Sequence, residues 1–102
     1  MSAATLSENQ KKFLRGLAHG RHALVQIGKE GFSEAVGKEM DGALTAHELV
    51  KVRARVGDRD ERDTVFQQLA NASASQLVQR IGNVGVFFRA RKEKSRIILP
   101  DD

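Results

Sequence analysis

The chain has 102 residues, 40% of them apolar and 29% charged, which suits one globular domain and excludes a large multidomain enzyme. It contains no cysteine, so thiolate metal sites, CxxC redox chemistry and cysteine nucleophiles are excluded. Net charge is +4, no window approaches the apolar run of a membrane span, and residues 1–12 lack the apolar stretch of a secretion signal, so the expected location is the cytoplasm.

Ser7 suits the cap of a first helix carrying Phe13, Leu14, Leu17 and Ala18 on an apolar stripe, with Lys11, Lys12 and Arg15 on its other face. Ala23–Ile27 is a short apolar run bounded by glycines, the pattern of a largely buried strand. After the turn Gly28-Lys29-Glu30-Gly31, a second helix is predicted from Ser33, with Phe32, Val36, Met40 and Leu44 at helical spacing. From Leu49 to Val56 the pattern alternates, valines and alanine against Lys51, Arg53 and Arg55, as in a half-buried strand. Asp58, Asp60, Glu61 and Asp63 open a third helix, where carboxylates suit the positive end of the dipole, and Val65, Phe66, Leu69 and Ala70 give its stripe. A polar stretch, 71–75, precedes strands at Gln76–Ile81 and Val84–Ala90 joined by Gly82-Asn83. The order αβαβαββ predicts a small two-layer α/β domain with a mixed four-stranded sheet. One domain is expected over 1–102, with its core at about 6–91 and a basic, partly docked tail at 92–102.

Charge is segregated along the chain. Between Asn9 and Lys29 stand five cations and no acid, and between Gln76 and Pro100 six cations and one acid, Glu93. Two basic ends point to a side that faces a polyanion. Lys51, Arg53 and Arg55 are expected on the sheet face opposite the helices, as a second and weaker basic surface.

Gly28-Lys29-Glu30-Gly31 lies between a strand and a helix start, where backbone N–H groups can approach a phosphate. The same spacing also serves a plain turn, and Gly82-Asn83-Val84-Gly85 is assigned to a hairpin. Neither segment has the pattern of a nucleotide-hydrolysing loop. The chain has no Trp or Tyr. Phe13, Phe32 and Phe66 are expected in the core, and of the adjacent Phe87 and Phe88 one is expected to face out, which leaves little for base stacking. His19, His22 and His47 show no metal-ligand spacing, so no metal, cofactor or catalytic group is expected.

Four separated segments carry a resemblance: Arg15-Gly16-Leu17-Ala18-His19; Ile27 through Val36; His47-Glu48-Leu49-Val50-Lys51-Val52; and Ile81-Gly82 with Val86-Phe87-Phe88-Arg89. Together they resemble the CRM domain in its bacterial stand-alone, YhbY-like form, over about Leu6 to Pro100. The resemblance implies a fold similar to the C-terminal domain of a bacterial translation initiation factor. It also implies RNA binding through a GxxG loop likened to that of KH domains, and an association with precursors of the large ribosomal subunit; plant relatives with several such domains act in intron splicing. On this reading Gly28, Lys29 and Gly31 contact backbone phosphate, flanked by Lys11, Lys12, Arg15 and Arg21 with His19 nearby. Arg89 and Arg91 add to the basic surface, and the protein is a monomeric, non-enzymatic partner of rRNA. A general RNA chaperone or mRNA-binding module, and a protein-interaction adaptor using the open sheet face, are the alternatives. The sequence departs from the family pattern at Glu30, inside the loop, and at Ala90, where proline is expected.

Overall fold

The computed structural model describes residues 5–102. Its elements are α1 (Glu8–Ala18), β1 (Ala23–Ile27), α2 (Glu34–His47), β2 (Leu49–Ala54), α3 (Arg59–Ser73), β3 (Gln76–Ile81) and β4 (Val84–Phe88), the expected order. The four strands form one mixed sheet in the order β1-β2-β4-β3, with β1 and β2 parallel and the other two pairs antiparallel.

Each helix begins where a side chain satisfies its free N–H groups. Ser7 and Gln10 form a reciprocal box, Gln10 N–H donating to Ser7 Oγ at 3.1 Å and Ser7 N–H to Gln10 Oε1 at 2.9 Å. Ser33 Oγ accepts from Val36 N–H at 3.2 Å, and Asp58 Oδ1 accepts from Glu61 N–H at 3.0 Å. Three boundaries differ from expectation. Helix α3 runs through Asn71 to Ser73, and the buried Ser73 hydroxyl is satisfied within the helix by donating to Leu69 O one turn back. Strand β2 stops at Ala54, although Val56 remains buried, and β4 stops at Phe88. At the hairpin, Gly82 takes φ +59, the positive value a tight two-residue connection requires at its first position.

Two cores lie on opposite faces of the sheet. Under α2 and α3, Val25, Ile27, Val52 and Phe87 pack with Met40, Leu44, Phe66 and Leu69. The Phe66 and Phe87 rings meet edge to face at 5.7 Å. On the other face Leu49, Val78, Val86 and Phe88 pack with Leu14 and Ala18 of α1 and with Ile97 and Leu99 of the tail. This second core corrects two expectations. Phe88 is buried, at 5% exposure, along with Phe87, because both faces are covered at that end of the sheet. The face of Lys51 is opposite α2 and α3, but it is shared with α1.

Candidate nucleic-acid interface

The turn after β1 is exposed and tightly closed. Gly31 N–H donates to Gly28 O at 3.0 Å, Gly31 takes φ +77, and Lys29 and Glu30 stand at the tip. The Glu30 carboxylate folds back across the loop: a Cβ built on Gly28 would meet its Oε2 at 3.4 Å. On one side the loop faces the first turns of α3 across a shallow cleft to which Asp60 and Glu61 contribute. That side repels an anion.

The other side is basic. Arg55 N–H donates to Ile27 O and Ala54 N–H to Asn83 O, both at 2.8 Å, so the glycine loop, Arg55 and the β3–β4 turn share one end of the sheet. Strand register sets the residues leading there: Gln26 pairs with Arg53, Arg53 with Val84 and Lys51 with Val86. Gln26, Lys51, Arg53 and Val84 therefore share the face that carries α1, and Arg53 and Arg55 are exposed. Helix α1 covers the far end of this face and leaves the near end open. Its last turn brings Arg15 and His19 into a cleft with Lys51, Gln79, Ile81 and Val84. The result is a line of cations, Arg15 to Lys51 to Arg53 to Arg55, ending at the glycine loop, with no carboxylate among the side chains just named.

The structure spreads the remaining expected residues. Lys11 and Lys12 do not flank the loop. They lie toward the N-terminal end of α1, where Lys11 Nζ is 3.9 Å from Glu8 and Lys12 lines a cleft with Pro100. Arg21, after α1, donates to Leu49 O at 3.0 Å and receives Lys51 Nζ on its own carbonyl at 2.9 Å.

Arg89 and Arg91 turn inward. Arg89 pairs with Asp41 at 2.8 Å and also donates to Ser73 O and Thr45 Oγ1. Arg91 donates to Thr45 O at 2.7 Å and Ala46 O at 2.6 Å, satisfying carbonyls in the last turn of α2. These two cations hold α2, α3 and the segment after β4 together. Their position in a basic stretch concealed this, because partners on α2 more than 40 residues away, and Ser73 O 16 residues away, leave no local pattern.

Glu48 is a further residue missed from the sequence. It caps α2 with φ +64 and is 1% exposed. Its carboxylate accepts from the backbone N–H of Arg91 and Arg96, at 3.0 and 2.7 Å, and from the Ser95 hydroxyl. Burial pushes its pKa up, but the Ser95 hydroxyl and the backbone N–H groups of Arg91, Arg96 and Ile97 outweigh that and hold it below the usual value. Among the described residues no helix is long and apolar enough to cross a membrane, and no group of three or more His, Asp or Glu converges on a metal-sized site.

Residues 6–89 match the CRS1 / YhbY (CRM) domain family model. The chain belongs to the CRM domain family. It is 38% identical over 96 residues to an RNA-binding protein of Haemophilus influenzae, covering 94% of this chain and 96% of that protein. It is 39% identical over 95 residues to the Probable RNA-binding protein YqeI of Bacillus subtilis, covering 93% of this chain and 99% of that one. The solution structure of hypothetical protein SAV1595 from Staphylococcus aureus superposes with a TM-score of 0.82 at 38% identity, over 94% of this chain and all of that one. The cation line and the glycine loop fall inside the matched CRM residues. The tail segment held by Glu48, 91–96, lies beyond them.

Proposed function

We propose that this CRM domain protein binds structured ribosomal RNA in precursors of the large ribosomal subunit, as a monomer in the cytoplasm and without a catalytic step of its own. The observation that carries the reading is the continuous cation line from Arg15 through Lys51 and Arg53 to Arg55, ending at the exposed glycine loop. RNA backbone lies along this line and reaches Gly28–Gly31 from the Arg55 side, because Asp60 and Glu61 guard the α3 side. Lys29 supplies a cation at the loop tip, and the glycines admit a phosphate to the backbone. Relatives named as RNA-binding proteins, covered almost end to end, support the class of ligand. The large-subunit assignment rests on the resemblance to the YhbY-like bacterial form of the domain.

The test is sedimentation of cell lysate followed by sequencing of the RNA bound to the tagged protein. Large-subunit rRNA precursors in the bound fraction are expected. Recovery of mainly mRNA would replace this reading with a general RNA chaperone. A stoichiometric protein complex that survives nuclease would replace it with an adaptor.

A further inference from the structure

Of the five phenylalanines, three are buried and Phe32 is half-buried, but Phe13 is 39% exposed. It does not stand alone. Leu17, one turn along α1, is 38% exposed; Leu24 of the edge strand β1 is 49% exposed; and Ile98 of the tail is 83% exposed. These side chains line one groove where α1, β1, the end of α2 and the tail meet. Singly exposed apolar side chains are ordinary, but four gathered in one groove form a candidate interaction surface.

The groove is also cationic. Arg21, Lys51 and Arg96 line it together with His22 and His47, and its lining includes no carboxylate. An occupant must therefore offer apolar surface and negative charge together. An unpaired nucleotide does so: its base has a π-face that stacks on an aromatic ring, and its phosphates suit the cations. The surroundings favour RNA over an acidic peptide, because Lys51 lines both this groove and the cleft of Arg15 and His19. A strand lying on the cation line is thereby led directly into the groove.

We propose that this groove is a subsite for single-stranded RNA, in which a base stacks on Phe13 and the adjoining phosphates lie against Arg21, Lys51 and Arg96. The proposal rests on the RNA-binding reading and extends it from structured RNA to an unpaired flank. Glu48 contributes indirectly, because its bond to Arg96 N–H holds the tail that brings Arg96 and Ile98 to the groove.

The experiment uses the full chain and a single-stranded RNA hexamer containing 2-aminopurine, whose fluorescence falls on stacking. A structured rRNA hairpin without unpaired flanks is titrated in parallel. Wild type is expected to quench the hexamer. Phe13→Leu, which keeps an apolar side chain and removes the ring, should abolish the quench and weaken hexamer binding about tenfold, as loss of one base–aromatic stack does. Its salt dependence should stay that of wild type, whereas Arg96→Ala should flatten it. Hairpin binding should be unchanged by Phe13→Leu.

Phe13→Trp keeps a stacking face and places the sole indole of the chain in the groove. Its own fluorescence should fall when unlabelled hexamer binds, so the proposal stays testable if the leucine variant is unstable. Unchanged hexamer binding and quenching in a folded Phe13→Leu would overturn the subsite. So would an indole signal in Phe13→Trp that the hexamer leaves unaltered. If the hairpin binds and the hexamer does not, the subsite falls while the RNA-binding reading stands; if neither binds, both fall. An acidic amphipathic peptide whose binding depends on Phe13, with hexamer binding indifferent to it, would assign the groove to a protein partner instead.

Discussion

The buried carboxylate of Glu48 accepts the backbone N–H of Arg96 at 2.7 Å, joining the end of α2 to a tail segment 48 residues away. With Arg91 N–H and the Ser95 hydroxyl on the same carboxylate, one side chain at the boundary of α2 and β2 fixes the path of the chain after β4. Ile97 and Leu99 can then pack on the second core.

Removing that acceptor leaves several donors without a partner. Glu48→Ala is expected to destabilise the protein by about 2–4 kcal/mol, and Ser95→Ala by about 1 kcal/mol, both read from urea unfolding. Backbone amides of Arg91 and Arg96 should lose hydrogen-exchange protection in Glu48→Ala while those of β2 keep theirs.

The same carboxylate gives a signed pH dependence. Its pKa is lowered on folding, so the unfolded chain binds the proton more readily. The stabilisation is complete above the ordinary carboxylate value of 4.5 and is lost as pH falls from there through the lower folded value. Methyl resonances of Ile97 and Leu99 followed between pH 7 and pH 3 should report tail release in that acidic window. Glu48→Gln should lack this component of the pH dependence.

Arginines in the two basic regions should separate by phenotype. Arg89→Ala removes the ion pair with Asp41 and three further bonds, to Ser73 O, Asp41 O and Thr45 Oγ1, and is expected to cost about 2–3 kcal/mol of stability. Arg55→Ala should leave thermal unfolding within about 0.5 kcal/mol of wild type, as surface substitutions do. It should nevertheless weaken RNA binding and lower the slope of log K against log salt by about 0.9 for duplex or about 0.7 for single strands. Titration of one rRNA fragment across a salt series, with Lys94→Ala as the distant control, checks both.

In the glycine loop, Lys29→Ala should lower the salt slope by the same amount, and Glu30→Gln should strengthen binding, since it removes a negative charge folded across Gly28. Gly31→Asp should be the most damaging to binding because it adds charge and bulk where a phosphate approaches. It should also cost about 1 kcal/mol of stability, because Gly31 has φ +77. Equal affinity of all three folded variants and wild type would reduce the loop to a turn.

Gly85 tests the packing beneath the site. A Cβ there would stand 3.0 Å from the Phe87 ring and 3.2 Å from that of Phe66, within the core under α2 and α3. Gly85→Ala should destabilise by about 1–3 kcal/mol through overpacking, as measured by thermal unfolding.

Element type and order were legible in the sequence because they depend on local terms: Ser7, Ser33 and Asp58 as caps, the period of two in β2, and the turn at Gly82. The cation stripe of Lys51, Arg53 and Arg55 was legible for the same reason, since alternation along a strand alone decides which residues share a face. Tertiary structure decided the rest. Placing α1 and the tail on the second sheet face buried Phe88, and the groove they form with β1 and the end of α2 left Phe13 exposed, although both phenylalanines lie in regular apolar patterns. Long-range pairing turned Arg89 and Arg91 inward and gave Glu48 its donors in the tail. A side chain's period names its face, but whether that face meets solvent, a helix or a carboxylate 48 residues away depends on chain segments that no local window contains.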